Sequence, residues 1–308
     1  MGGRFSVARS SLSTGVGGRD ARVTLLRFMA ISPHSAALSF SLAAVLCWGT
    51  SDFLGGYAAR RASAFFLTTL AHASGILLMV ALAVVNHSAF PSRAGCAWAL
   101  AAGLSGGAAL AIFYRALSTG KMGLTAPVAA VVGAAIPAAV AMMTEGLPGR
   151  IQIAGFLIAG IGIWLISRSE DGARAEGMGL AVVAALGFAG FFLCMKEAGQ
   201  GSALWLAGLA RLASLSLTAM IVLLARNYTV TRSSAILGVF AGFLDVSGSA
   251  LFLRSVQSGR LDSAVVISSL YPAITVLLAR LVLHERITRW QAVGMFAALA
   301  AVPMIAGQ

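Results

Sequence analysis

The chain has 308 residues, of which 59% are apolar and 10% charged, with a mean hydropathy of +0.90 and a formal net charge of +12. A soluble domain is nearer half apolar and a quarter charged, so that class is excluded, and with it large ATP-binding engines and globular catalytic domains. At about 20 residues per membrane-crossing helix, the stretch after residue 36 has room for roughly ten spans and for no sizeable soluble domain.

Residues 1–36 stand apart in composition. Arg4, Arg9, Arg19, Arg22 and Arg27 face a single acid, Asp20, among Ser and Gly, the pattern of a basic disordered arm. Its opening Met1-Gly2-Gly3-Arg4-Phe5-Ser6 fits the loose N-myristoylation pattern, and its Arg and Ser bias resembles a transit peptide. A plain cytoplasmic tail, or an upstream start codon with Met29 as the true beginning, explains the same residues. Apolar runs then predict spans at 37–57, 64–85, 95–117, 122–143, 151–167, 178–196, 203–225, 234–256, 262–283 and 290–307. None alternates as a membrane strand does, and runs of this length fit helices that satisfy their own backbone groups. The clearest loops are Asn86-His87-Ser88, Glu145 to Arg150, Arg168 to Glu176 and His284-Glu285-Arg286. Cys47, Cys96 and Cys194 lie far apart in apolar runs and read as small buried side chains, with neither a disulfide framework nor a metal site.

Sliding the sequence by 139 positions aligns most of its two halves without a gap. Arg93 falls on Arg232, Gly103 on Gly242, Arg115 on Arg254, Gly120 on Gly259, Arg150 on Arg289 and Gln152 on Gln291. His72 falls on Arg211 and Lys121 on Arg260, while the first and sixth spans need one residue more. This predicts two copies of a five-helix unit. Because five is odd, the second copy starts from the opposite side of the membrane, and the halves form inverted repeats with a site near the midplane between them. Matched Arg pairs then put one charge on each face, so the loops of the two faces carry nearly equal numbers of Lys and Arg. The basic arm breaks the tie and predicts both termini in the cytoplasm.

Ionisable groups within spans cost a few kcal/mol each on insertion and are therefore functional candidates. Asp52 follows Trp48-Gly49-Thr50-Ser51 in the first span, and Asp245 lies mid-way along the eighth. Neither has an acidic counterpart: Asp245 aligns with Gly106 and Asp52 with Phe192. Two readings stand side by side. The acids form a proton-accepting or amine-binding pair in a cavity, or each neutralises a span arginine such as Arg115, Arg254 or Arg211. Arg115 and Arg254 end their spans and can snorkel to the headgroups, and His72 and Arg211, nearer span starts, take the same reading. Pro127, Pro137 and Pro272 each remove an amide donor and permit a helix kink. Trp48, Tyr114 and Tyr271 offer flat surfaces to a ligand or to neighbouring helices, and Ser51 and Ser268 add polarity. Gly103 and Gly107 make a small-residue packing step. No hydrolase, metalloprotease or phosphate-loop motif is present, so no enzyme, cofactor or metal is expected.

Trp48-Gly49, the run Phe113-Tyr114-Arg115-Ala116-Leu117, the block from Ser269 through Tyr271-Pro272 to Arg280, then Glu285-Arg286 and Gln291-x-x-Gly294, together resemble the EamA family of the drug/metabolite transporter superfamily. The resemblance covers nearly everything after residue 36 and implies ten helices in two inverted units. It further implies a central cavity formed mainly by the first, third, fourth, sixth, eighth and ninth helices. Gly133 stands where Pro272 predicts a proline in the first half, and Glu145 is one residue out of register with Glu285, so the fourth and ninth helices are not expected to act alike.

The sequence thus predicts an all-α multi-pass protein of the plasma membrane, a bacterial inner membrane by resemblance. It is read as a secondary transporter, an exporter of small metabolites or drug-like compounds, working by alternating access with proton coupling through Asp52 or Asp245. Substrate-binding or coupling candidates are Asp52, Asp245, Trp48, Ser51, Tyr114, Arg115, Ser268 and Tyr271. Expected partners are a small-molecule substrate and membrane lipid, without nucleic acid, in a monomer or homodimer. The alternative is a non-transporting module that binds a lipid or a partner protein.

Overall fold

The computed structural model describes residues 33–120, 122–166, 177–284 and 288–306. Most of the basic arm, Lys121, the loop Arg168 to Glu176, Glu285 and Arg286 lie outside the described residues. Within them the chain is all helical: α1 Pro33–Ala59, α2 Ala64–Val85, α3 Arg93–Thr119, α4 Met122–Glu145, α5 Arg150–Ile166, α6 Met178–Glu197, α7 Ala203–Ala225, α8 Arg232–Ser258, α9 Leu261–Ser268, α10 Tyr271–Leu283 and α11 Arg289–Ala306. Eight segments, with α9 and α10 counted as one, are long and apolar enough to cross a membrane, and α5 is a shorter apolar helix.

Short polar residues start several of these helices. Ser92 Oγ accepts from Gly95 N at 3.1 Å and Thr231 Oγ1 from Ser234 N at 3.2 Å, each relieving an amide with no partner inside its helix. Residues 92 and 231 are 139 apart, so α3 and α8 begin with the same device. Helix α1 begins at Pro33, ahead of the predicted start at 37.

The predicted ninth span is two helices. Pro272, at the second position of α10, has no N–H to give the Ser268 carbonyl, and its ring crowds that carbonyl, so α9 stops there. Pro127 and Pro137 behave differently: α4 runs on past both. Gly133, the counterpart of Pro272, keeps its amide, and the expected difference between the two helices follows.

Small residues let the helices meet backbone to backbone. A Cβ on Gly103 would overlap the Ala210 carbonyl of α7, and a Cβ on Gly242 would overlap the Ala71 carbonyl of α2. Gly107 lies against Ser214, and Gly75 against Val246. Each pair becomes the other when 139 is added to or subtracted from its members. The large apolar side chains point the opposite way: Leu77, Leu224 and Phe296 are more than 70% exposed on the outer surface, as lipid-facing residues of a membrane protein are. The three cysteines are free and only partly buried, so the expectation of buried thiols is corrected.

Successive helices run up and down. Residues 33 and 306 share one end with the turns after α2, α4, α6 and α8, as the bonds from Trp205 Nε1 to Ser88 O and from Gln257 Nε2 to Gly199 O require. At the far end Ser63 N donates to Thr229 O. Described helix-end and loop cations divide seven to five, with Arg60, Arg61, Arg115, Arg226, Arg232, Arg280 and Arg289 at the far end. The near balance expected from matched arginines thus leans away from the termini.

Arg226, after α7, and His284, after α10, adopt left-handed backbone conformations with φ of 49° and 55°. Such caps favour glycine. Arg226→Gly should therefore raise stability by about 0.5–1 kcal/mol, read as a later unfolding midpoint in an SDS titration.

Candidate functional site

Half-way along the bundle, α1, α3, α4, α6, α7, α8 and the α9–α10 break surround a cavity with about 560 Å³ of empty space, part of it continuous with the exterior. Trp48 and Asp52 of α1, Gly133 of α4, Phe188, Phe191 and Phe192 of α6, Arg211 of α7, Asp245 and Ser249 of α8, and Ser269 and Tyr271 at the break all line it. Both halves of the chain contribute.

Its charged floor is built on α7 and α8. Arg211 Nη2 lies 2.7 Å from Asp245 Oδ2 and donates to Ser249 Oγ at 2.6 Å. The Arg–Asp contact is an ion pair by distance but not a well-aligned hydrogen bond, and Arg211 Nε has no partner among the described residues. The guanidinium carbon also sits 6.0 Å from the centre of the Phe191 ring. Both pair members are nearly occluded, with side chains 4% and 9% exposed. Ser249 Oγ in turn donates to the Asp245 carbonyl at 3.0 Å, and so does Trp48 Nε1 at 3.1 Å. The Trp48 ring lies on Gly248, where a Cβ would collide with it, and packs against Phe192, Phe252 and Tyr271.

Asp52 is different. It is 6% exposed, and among the described residues its carboxylate accepts no hydrogen bond and pairs with no cation, although it is close enough to Asp245 for the two charges to repel. With Arg211 and Asp245 paired, Asp52 is left as an acid of the cavity wall with no cation beside it among the described residues. An ionised carboxylate buried without a partner costs several kcal/mol, which sets Asp52 apart from the paired Asp245.

The sequence-predicted residues are distributed as follows. Asp52, Asp245, Trp48 and Tyr271 meet at the cavity. Ser51 and Tyr114 do not line it. Ser51 Oγ donates to the Ala241 carbonyl at 2.8 Å and lies 3.2 Å from Tyr114 Oη, while the Tyr114 ring occupies the space over Gly55, so both hold α1 to its neighbours. Ser268 is buried with no partner for its Oγ among the described residues, and the cavity wall takes Ser269 instead. Arg115 and Arg254 are exposed at helix ends, as the snorkelling reading expects. His72 and Arg211 depart from that reading: both are buried, His72 beside the Gly107 backbone. Their places near span starts suggested headgroup contact, but the tight glycine contacts of α2 and α7 carry both side chains inside. Of the two readings of the acids, neutralisation by a span arginine describes Asp245, and the unpaired state describes Asp52. Sequence reasoning missed Phe188, Phe191 and Ser249. Ser249 lies four residues after Asp245 on the same helical face, a spacing that could have found it.

Comparison with known proteins bears on this arrangement. Residues 175–307 match the EamA-like transporter family. The EamA-like domain, part of the drug/metabolite transporter superfamily, thus includes Phe188, Arg211, Asp245 and Tyr271 of the cavity wall. No curated protein matches the chain. A solved crystal structure is similar over 88% of this chain and 96% of its own length, with a TM-score of 0.67 and 18% sequence identity, a likeness of fold. The second half of this membrane protein thus carries an EamA-like domain, and the matched family is one of transporters.

Proposed function

We propose that the protein is a secondary transporter that moves a small metabolite or drug-like compound, in the export direction, by alternating access between two inverted five-helix units. The observation that carries this reading is the unpaired Asp52 in a cavity lined by both halves. The exchanged contacts support the inverted units: Gly103 on Ala210 mirrors Gly242 on Ala71, as two copies related by a two-fold axis in the membrane plane require. A ligand held between such units is exposed to one side or the other as one unit rocks against its twin.

Asp52 is assigned the coupling role, and Asp245 a structural one beside Arg211. A proton and a cationic group of the substrate compete for the same carboxylate, which ties substrate movement to the pH gradient. Proteoliposome flux measured with and without a pH gradient, across a panel of metabolites and amines, tests the reading. Asp52→Asn should lower gradient-driven flux at least tenfold while leaving the folded yield unchanged. Undiminished gradient-driven flux in both Asp52→Asn and Asp245→Asn sinks the proton role, and absence of any flux across the panel argues for a non-transporting module.

Both termini are proposed to lie in the cytoplasm of a bacterial cell, with the protein in the inner membrane. A C-terminal fluorescent protein should then be bright and a C-terminal alkaline phosphatase inactive, and the reverse pattern overturns the orientation.

A further inference from the structure

At the end of the bundle that bears the termini, three helices from the two halves meet through charges. Glu145, the last residue of α4, pairs with Lys196 of α6 at 2.7 Å, and Lys196 Nζ also donates to Thr144 Oγ1 at 3.2 Å. The other Glu145 carboxylate oxygen accepts the Leu261 amide at the start of α9, at 3.3 Å. Arg260 answers from the opposite direction. It donates to the Glu145 and Gly146 carbonyls, at 3.2 and 2.7 Å, and pairs with Asp262 at 2.7 Å. A carboxylate thus sits on the first amide of α9 and a guanidinium on the last carbonyls of α4, each charge at the helix end whose dipole it complements.

The helices tied together here are cavity walls: α4 supplies Ala129, Ala130 and Gly133, α6 supplies three phenylalanines, and the α9–α10 pair supplies Ser269 and Tyr271. The cavity cannot widen toward this end unless α4 leaves α6 and α9. The set of charges is not repeated in full at the far end, because the repeat counterparts of Asp262 and Lys196 are Gly123 and, in the first-span register, Gly56. Gly56 packs on Leu117 and Met122. Two of the four charged residues thus have glycine counterparts, whereas Arg260 matches Lys121 and Glu145 matches His284.

We propose that Glu145, Lys196, Arg260 and Asp262 form a clasp that holds the cavity shut toward the terminus-bearing end and must open in each transport cycle. The proposal rests on the alternating-access reading, and its test is independent of any substrate. Ala130→Cys in a background lacking Cys47, Cys96 and Cys194 reports access to the cavity. A membrane-impermeant maleimide is applied to sealed proteoliposomes sorted by orientation. Labelling of the intact clasp should be slow from the terminus-bearing side, and Glu145→Gln with Arg260→Gln should speed it about tenfold or more, the scale expected for losing charge-assisted contacts. Lys196→Gln, which leaves the α4–α9 contacts in place, should give an intermediate gain and decides the matter if the double variant fails to fold. Unchanged labelling in a folded, monodisperse variant overturns the clasp. A protein that transports nothing but shows the shift keeps the clasp and loses the transporter reading, and a transporting protein with no shift does the reverse.

Discussion

Asp245→Ala should destabilise the protein by about 3–5 kcal/mol, the cost of leaving Arg211 as an uncompensated buried charge. Among the described residues the guanidinium would keep Ser249 as its hydrogen-bonding partner and the Phe191 ring as a neighbour, in a site where its side chain is 4% exposed. Removing both charges together is a different experiment. Arg211→Met with Asp245→Ala should recover most of the loss, because a buried ion pair roughly breaks even against well-packed apolar groups. Unfolding midpoints in SDS, measured for both singles and the double, give the coupling between the two sites. A single variant as stable as the parent means that the pair is solvated and that the cavity is wetter than its walls suggest.

The second large effect is expected at Gly103 and Gly242. Valine at either position drives a branched side chain into the carbonyl of Ala210 or Ala71, and a backbone atom in a packed helix cannot swing aside as a side chain can. Each substitution should cost about 3 kcal/mol or more, at or beyond the usual range for overpacking. Gly160→Val is the control, since no described atom lies within 4 Å of a Cβ there. The monodisperse fraction after detergent extraction should fall sharply for the first two variants and little for the third. Similar losses at Gly103 and Gly242 are the signature of equivalent contacts, and a loss at one alone argues against that equivalence.

Much of this arrangement was legible beforehand, and the physical reason is the medium. A membrane forces backbone groups to pair within each helix, so apolar run length reads directly as helix, and most predicted spans lie within the observed ones. The 139-residue offset picked out Gly103 and Gly242, and these prove to be contact points. Charge in a span marked Asp52 and Asp245 as cavity residues, since an ionised group has nowhere else to go. Other features hinge on which way a helix is rotated. Tyr114 and Ser51 belong to helices that line the cavity, yet they face a neighbouring helix. The same ambiguity hid Phe188 and Phe191, whose apolar rings look alike in sequence whether they face lipid or a site. His72 shows the limit most clearly: its distance from the span start suggested an interfacial residue, while close packing of small residues around it left it wholly enclosed.

The division of charge between the halves has a consequence for how they could be rearranged. Asp52 comes from one half, whereas Arg211 and Asp245 come from the other. A pair made of two second halves would enclose two self-neutralised sites and no spare acid. A pair of first halves would hold two unmatched acids and no arginine at the position of Arg211, which is His72 in that half. Neither symmetric assembly reproduces the single spare acid, so the covalent join between unlike halves sets the composition of the site, and separately expressed halves should regain it only as a mixed pair.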